Sequence, residues 1–130
     1  MRILFIEDDA MNRRVVRDML HVAGLELAEA DGGRSGIARL ETDPFDVLLL
    51  DLRMPEMDGF DVMRDLRARN DHLRDLPIIV VTADASPGLE EECVATGADA
   101  VLYKPIAMQL LFDTIADVLV SRADPDAIMG

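Results

Sequence analysis

Cysteine and aromatic side chains are scarce in this sequence. Cys93 is the single cysteine among 130 residues, tryptophan is absent, and aromatic residues make up 4% of the chain. One thiol cannot form an internal disulfide, and with only two histidines it cannot complete a cysteine–histidine zinc cluster. We therefore exclude a disulfide-stabilised domain and a zinc finger, and we interpret Cys93 as a small buried apolar side chain.

Long hydrophobic runs are also missing. The longest, such as Val47–Leu50 and Ile78–Val81, have about four residues, whereas a transmembrane helix needs roughly 20. The N-terminal segment Met1–Ile6 leads directly into the acidic triplet Glu7-Asp8-Asp9 and lacks the apolar stretch of a secretory signal. We expect no membrane insertion and a cytoplasmic location.

Basic residues are few relative to acidic ones. The chain has 13 Lys and Arg against 26 Asp and Glu, which gives a net charge of −13. A field of that sign repels nucleic-acid phosphates and anionic lipids, so we expect no nucleic-acid partner and favour protein partners. The length of 130 residues, with 50% apolar and 30% charged residues, is typical of one globular domain.

Short apolar runs alternate along the chain with segments of helical period. The five runs are Ile3–Ile6, Leu25–Ala30, Val47–Leu50, Ile78–Val81 and Ala100–Leu102. Apolar residues at three-and-four spacing predict a helix after the first run and another after the fifth, from about Ile106 to Ser121. Shorter helices are predicted near Ser35–Glu41, Phe60–Arg69 and Pro87–Thr96, the last with Ser86 as its N-cap.

The first, third and fourth runs are almost continuously aliphatic, which is typical of strands covered on both faces. Strand and helix alternate five times, so the pattern predicts an α/β fold, a doubly wound (βα)5 sandwich around a parallel sheet. The pattern itself leaves the strand order open. In such a sheet the ligand crevice lies at the carboxyl ends of the strands.

Polar residues suited to one site come directly after four of the five runs. They are Glu7, Asp8 and Asp9, then Asp51, then Thr82, and finally Tyr103, Lys104 and Pro105. An acidic triplet is expected about once by chance in so acidic a chain, so position carries the argument. If the first and third strands are neighbours, Asp8 and Asp51 lie close together, and their repulsion is relieved by a hard divalent cation, above all Mg²⁺.

Lys104 and Thr82 complete the chemistry of this predicted site. An ammonium and a hydroxyl, together with the cation, can hold the oxygens of a phosphoryl group. Phosphoryl transfer needs positioning and charge neutralisation, so an aspartate nucleophile in a small site is sufficient. The residues therefore predict a phosphoryl-transfer site with Asp51 as its nucleophile.

Four segments together resemble the receiver domain of bacterial two-component response regulators, over roughly Arg2 to Ser121. They are Ile3-Leu4-Phe5-Ile6-Glu7-Asp8-Asp9, Asp51-Leu52-Arg53-Met54-Pro55-Glu56-Met57-Asp58-Gly59, Val81-Thr82-Ala83 and Tyr103-Lys104-Pro105. The resemblance implies a flavodoxin-like, CheY-like sheet in the order 2-1-3-4-5. It also implies an aspartate that accepts phosphate from a phosphohistidine, and dependence on Mg²⁺, for which Mn²⁺ can substitute.

The resemblance implies a role for each matching residue. Asp51 is the phosphoacceptor, Asp8 a direct metal ligand, Glu7 a ligand acting through water, and the backbone carbonyl of Arg53 a further ligand. Phosphate is bound by Thr82 and Lys104, the switch consists of Thr82 and Tyr103, and the Lys104–Pro105 peptide bond is expected to be cis. Docking contacts are expected at Asn12, Arg13, Val16, Pro105 and Ile106.

The expected domain organisation is a receiver over residues 1–121 and a short C-terminal tail, 122–130, with no output domain. We thus expect a stand-alone response regulator, CheY-like or DivK-like, that assists only its own phosphorylation and dephosphorylation and is otherwise not an enzyme. Its expected partners are a histidine kinase or a histidine phosphotransfer protein, and a downstream protein target. A phosphorelay intermediate or phosphate sink is an alternative. A Mg²⁺-dependent phosphohydrolase is less favoured, because Arg53 stands where such an enzyme has its general acid.

Overall fold

The computed structural model describes residues 1–123, in which five β-strands alternate with five α-helices. The strands are β1 Arg2–Ile6, β2 Glu26–Ala30, β3 Val47–Asp51, β4 Ile78–Thr82 and β5 Ala100–Tyr103. The helices are α1 Ala10–Val22, α2 Gly33–Thr42, α3 Gly59–Arg67, α4 Leu89–Thr96 and α5 Met108–Ala123. A short 3₁₀ helix, His72–Asp75, precedes β4.

The five strands form one parallel sheet in the order β2-β1-β3-β4-β5. Both the predicted (βα)5 sandwich and the strand order are therefore confirmed. The register pairs Ile6 of β1 with Leu50 of β3, and Asp51 with Val81 of β4. This order places β1 and β3 side by side, as the predicted acidic site requires.

Alternate residues of the three inner strands point to opposite faces of the sheet. Leu4, Leu48 and Val80 pack in the core under α2, α3 and α4. Phe5 and Leu49 pack in a second core with the buried faces of α1 and α5. Burial on both faces explains why these strands have uninterrupted aliphatic sequences.

Helix α4 begins later than the sequence predicts, and its predicted cap is wrong. Its N-cap is Gly88, with a φ of 82°, and the helix starts at Leu89. Ser86 instead donates from its backbone N–H and its hydroxyl to the side chain of Asp84. Because the Asp84 carboxylate holds Ser86 in a turn, the chain reaches a helical conformation only after the glycine.

Several other element ends differ from the prediction by one or two residues. Asp51, Thr82 and Tyr103 are the last residues of their strands and do not lie beyond them. Helix α5 starts at Met108, so Ile106 lies in the preceding loop, and it continues to Ala123, past the predicted boundary at 121. The rest of the predicted tail, 124–130, lies outside the described residues. Within residues 1–123, no helix is long and apolar enough to cross a membrane.

Candidate functional site

The carboxyl ends of β1 and β3 bring three acidic side chains together. Asp51 ends β3 and Glu7 comes directly after β1, and both are buried, with 5% and 0% of their surface exposed. Asp8 is exposed beside them. One carboxylate oxygen from each of the three lies within 4.8 Å of the others. The strand order thus produces the acidic cluster that the sequence predicts.

The acidic triplet after β1 has a different environment at each position. The Asp9 carboxylate accepts hydrogen bonds from the backbone N–H groups of Met11 (2.8 Å) and Asn12 (3.2 Å), and so caps the N-terminus of α1. Glu7 is in the interior and Asp8 faces solvent. Only Glu7 and Asp8 join Asp51, as the resemblance implies.

Lys104, directly after β5, places a positive charge against this cluster. Its Nζ is 2.7 Å from Glu7 Oε1 and 3.4 Å from Asp51 Oδ1. Burial lowers the pKa of Lys104, but the hydrogen bond to Glu7 and the charge of Asp51 outweigh it, so that the pKa is raised overall. The following Lys104–Pro105 peptide bond is cis, as expected.

The surroundings of Asp51 make it a weak acid in the absence of a cation. Burial raises its pKa, the neighbouring Glu7 carboxylate raises it further and Lys104 opposes them, with a net rise from 3.8 to about 7. Two neighbouring carboxylates with one ammonium cannot both ionise easily. Additional positive charge at this site would therefore favour the ionised form of Asp51.

The cluster fits a divalent cation. Glu7 Oε2 is buried and has no hydrogen-bond partner among the described residues, which is costly unless another group compensates it. The three carboxylates and the single ammonium leave two uncompensated negative charges when all are ionised. All the side-chain ligands are carboxylate oxygens, the type that Mg²⁺ prefers.

The structure places Thr82 and Tyr103 differently from the clustered residues. Thr82 ends β4 beside β3 and is fully buried, and its Oγ1 accepts a hydrogen bond of 3.0 Å from the Asp84 N–H. Tyr103 is 39% exposed, and its hydroxyl donates to Glu90 Oε2 at 3.1 Å. Partial desolvation and this hydrogen bond raise the pKa of Tyr103. The pocket thus collects acids and Lys104, while the Tyr103 ring lies on the surface.

A family model described as a response regulator receiver domain matches residues 3–116. This chain belongs to that family. Receiver domains are signalling switches that bind Mg²⁺ in an acidic pocket and interact with histidine kinases. They belong to a family of signalling switches and are not classical enzymes.

Relatives of this receiver domain differ greatly in length. It is 34% identical to the chemotaxis protein CheY of Pseudomonas aeruginosa, over 91% of this chain and 95% of that protein. It is also 34% identical, over 93% of its length, to the sensory/regulatory protein RpfC of Xanthomonas campestris, of which it spans only 17%. The receiver domain of the sensor histidine kinase PA1611 from Pseudomonas aeruginosa PAO1 has a TM-score of 0.82 at 30% identity, covering 91% of this chain and 96% of that one. That structure has a magnesium ion coordinated in the active site cleft.

An ion pair lies at the mouth of the receiver pocket. Arg53, two residues after Asp51, is 2.6 Å from Asp84 Oδ2, and both residues line the pocket. Hydrogen bonds from the Ser86 hydroxyl and from Arg53 lower the pKa of Asp84 to about 2. The role of Asp84 was not predicted from the sequence. Its position in the sequence could have indicated this role, because Asp84 follows the end of β4 by two residues and so lies at the same end of the sheet as Thr82.

A close backbone approach fixes the loop between Asp51 and α3. The Gly59 N–H donates to Leu52 O at 3.0 Å, and a Cβ at position 59 would lie 2.6 Å from the Asp51 carbonyl oxygen. Glycine at this position lets α3 start directly against the end of β3. Asp58 and Asp61 complete the helix start with a capping box.

Two residues of α1 also bind Glu7. The Asn12 Nδ2 donates to Glu7 Oε1 at 2.6 Å, and Arg13 Nη1 donates to the Glu7 backbone oxygen at 2.7 Å. Both were predicted as docking contacts and not as parts of the receiver site. Their spacing from Glu7, across a strand end and a helix cap, gave no motif by which to recognise the contact.

Proposed function

We propose that this chain is a phosphorylation switch of two-component signalling, in which Asp51 accepts a phosphoryl group from a histidine kinase or a histidine phosphotransfer protein. The observation that carries the proposal is the position of Asp51. Its carboxylate is buried at the end of a central strand, between the acids Glu7 and Asp8 and the ammonium of Lys104. A nucleophile, a cation site and a positive charge thus lie together at the carboxyl ends of the strands.

In the transfer step, an oxygen of ionised Asp51 attacks the phosphorus of the donor. A P–O bond forms as the P–N bond of the phosphohistidine breaks, and the departing imidazole keeps the bonding electron pair and takes up a proton. Lys104 and Thr82 are proposed to bind the phosphoryl oxygens, where an ammonium and a hydroxyl oppose the developing charge. Thr82 can donate its hydroxyl proton while still accepting from Asp84.

Asp8, Asp51, Glu7 through water and the backbone carbonyl of Arg53 would hold Mg²⁺, or Mn²⁺ in its place. When bound, the cation neutralises the carboxylates and the incoming phosphoryl oxygens. Arg53 lines the pocket with these acids. Without such charge compensation the ionisation of Asp51 is disfavoured, since its pKa is about 7.

The proposed response couples Thr82 to Tyr103. Thr82 and Tyr103 are register partners on β4 and β5. When the Thr82 hydroxyl binds the phosphoryl group, Tyr103 is proposed to leave Glu90 and turn inward. This changes the surface formed by α4, β5 and α5, and thereby the affinity for a downstream protein.

The phosphodonor is proposed to dock at the groove between α1 and the loop after β5. Asn12, Val15, Pro105 and Ile106 line this groove. Val16, a predicted contact, also lines the groove, although it is only 2% exposed and packs in the core. The proposed role places the protein in the cytoplasm, with the kinase that supplies the phosphoryl group.

A stand-alone switch and a relay component differ in the fate of the phosphoryl group. Similarity to CheY over nearly all of that protein favours the stand-alone switch. Similarity to a small part of RpfC favours the second candidate, a receiver that passes phosphate onward within a larger system or serves as a phosphate sink. A diffusible-substrate phosphohydrolase finds no supporting observation, since Arg53 occupies the position of its general acid.

Intact-mass analysis after incubation with acetyl phosphate and Mg²⁺ tests the common core of this proposal. We expect one phosphoryl adduct on the wild-type chain, none on Asp51→Asn and none in chelator. An exposed-acid control, Asp117→Asn, should be labelled like the wild type. Retention of the adduct in Asp51→Asn would refute the assignment of the acceptor.

A further inference from the structure

Glu7 is held by an unusual division of donors between its two carboxylate oxygens. Oε1 accepts from Asn12 Nδ2 at 2.6 Å and from Lys104 Nζ at 2.7 Å. Oε2 accepts from no group among residues 1–123, although Glu7 is completely buried. Both donors of the protein therefore converge on one oxygen and leave the other without a partner.

The contact from Asn12 orients the carboxylate without changing its charge. Asn12 is half-buried in the first turn of α1, where the Asp9 cap fixes the backbone, and its neighbour Arg13 fixes the Glu7 carbonyl. A cationic donor at this position would cancel negative charge that the site uses to attract a divalent ion. A neutral amide can fix the rotation of the carboxylate and leave that charge intact.

We propose that Asn12 is a positioning residue of the metal site, which holds Glu7 Oε1 so that Oε2 remains free for the cation or for water bound to it. Lys104 alone would not suffice, because its ammonium is shared with Asp51 at 3.4 Å and would be drawn toward a phosphoryl group. This inference rests on the proposed function, since it concerns the same Mg²⁺ site. It assigns to a docking-groove residue a second role inside the pocket.

Titration with Mn²⁺, followed by electron paramagnetic resonance of the free ion, tests this role without any phosphorylation. Loss of a group that orients a metal ligand typically weakens binding by about 10- to 100-fold. We expect Asn12→Leu, which has a similar volume and no donor, to raise the dissociation constant at least about tenfold. Asn12→Gln, which keeps the amide, should recover part of that loss.

Met11→Ala is the matched control, because Met11 is in the same helical turn and is 66% exposed. It should bind Mn²⁺ like the wild type. Circular dichroism in chelator verifies that each variant is folded, and Asn12→Ala replaces Asn12→Leu if that variant is not. Equal Mn²⁺ affinity of the wild type and a folded Asn12→Leu or Asn12→Ala variant would overturn the positioning role.

Labelling by acetyl phosphate at saturating Mn²⁺ separates positioning from a direct part in the transfer. A positioning residue predicts that the labelling rate of the variant returns to within about twofold of the wild type once the metal site is filled. A persistent rate defect at full occupancy would instead assign Asn12 to the phosphoryl group and overturn the inference. If the wild-type chain itself bound no Mn²⁺, the proposed function would fail together with this inference.

Discussion

At the level of single residues, the Asp51 carboxyl is the group whose charge the fold opposes most directly. It is buried beside the acid Glu7, and its pKa is raised from 3.8 to about 7. The folded chain therefore holds a proton on Asp51 in a pH range where the unfolded chain has already released it. The associated stabilisation is complete below pH 3.8 and is lost as the pH rises through about 7.

The first stability prediction concerns Asp51→Asn in metal-free buffer. The variant cannot lose a proton at this position, so its stability relative to the wild type should grow with pH. We expect the difference in unfolding free energy to increase by about 1 to 2 kcal/mol between about pH 5.5 and pH 8. Urea unfolding monitored by circular dichroism in chelator measures it.

Added Mg²⁺ provides the complementary test of the same charge. It should stabilise the wild type at pH 8 more than Asp51→Asn, because the variant lacks one of the three carboxylates that the cation compensates. Asp117→Asn, at an exposed position on α5, should behave like the wild type under all conditions. A constant difference between Asp51→Asn and the wild type across this pH range would contradict the raised pKa.

At the level of elements, the connection from β3 to α3 determines the position of Asp51. Asp51 ends the strand, and α3 starts at Gly59 against the backbone of the same residue. A methyl group at position 59 would meet the Asp51 carbonyl oxygen, which is backbone and cannot move aside as a flexible side chain would.

Gly59→Ala should consequently lower the free energy of unfolding by about 2 kcal/mol and slow labelling by acetyl phosphate. Chemical denaturation and intact-mass time courses are the measurements. Gly32→Ala is the control, since no atom lies within 4 Å of the added methyl group and the backbone there is extended. Because Gly32 is the N-cap of α2, where alanine is less favourable than glycine, this variant should lose at most about 1 kcal/mol. Equal destabilisation by both substitutions would show that the contact with Asp51 is unimportant.

The elements also show how much of the fold could be predicted from the sequence. The inner strands were recognisable because burial on both faces requires uninterrupted aliphatic residues, and α1 because its apolar residues repeat along one face. The start of α4 was not, since Ser86 and Pro87 form a plausible cap locally, and only the carboxylate of Asp84 shows that Ser86 is engaged elsewhere.

The proximity of the predicted site residues and the contacts that the sequence did not predict have different physical origins. Glu7, Asp51 and Lys104 lie close together because each ends or directly follows a strand, and the parallel topology places these strand ends on the same side of the molecule. The contact of Asn12 with Glu7 and the ion pair of Arg53 with Asp84 depend on side-chain orientations across loops. No spacing rule encodes such orientations, although the resemblance to receiver domains implies a docking role for Asn12 close to the pocket.

At the level of the whole molecule, a separate polar network stabilises the amino-terminal end of the sheet, opposite to the site. Arg67 of α3 donates to the backbone oxygens of Arg74, Leu76 and Gly97 at 2.7 to 3.1 Å. Asp99 accepts from Arg67 and, at 3.0 Å, from Arg122 of α5. The network therefore joins helices on both faces of the sheet near the amino ends of β4 and β5.

Removal of this network should separate stability from chemistry. Arg67→Ala leaves three backbone oxygens without their donor and should lower the free energy of unfolding by about 2 to 4 kcal/mol. Labelling of the folded protein by acetyl phosphate should remain close to that of the wild type, because Arg67 contacts residues at the amino ends of the strands and the site lies at their carboxyl ends.

The control for this substitution is Arg64→Ala on the same helix. Arg64 is exposed, makes one ion pair with Asp61 at 3.3 Å and lies 5.8 Å from the Phe60 ring centre, so its loss should cost at most about 1 kcal/mol. Denaturation midpoints and labelling rates of the two variants, measured under the same conditions, test whether the network affects stability without affecting labelling. A labelling defect in folded Arg67→Ala would contradict this prediction and show that the network influences phosphorylation at the opposite end of the sheet.

The hydrogen bond from Tyr103 to Glu90 gives this molecule a built-in optical reporter. Tyr103 is the only tyrosine and the chain has no tryptophan, so its ultraviolet emission arises almost entirely from one ring, at the end of β5 beside Thr82. A carboxylate that accepts a proton from an excited phenol quenches its fluorescence. Rotation of the ring away from Glu90 would therefore register as a gain in brightness, and the kinetics of the switch could be followed in unlabelled protein.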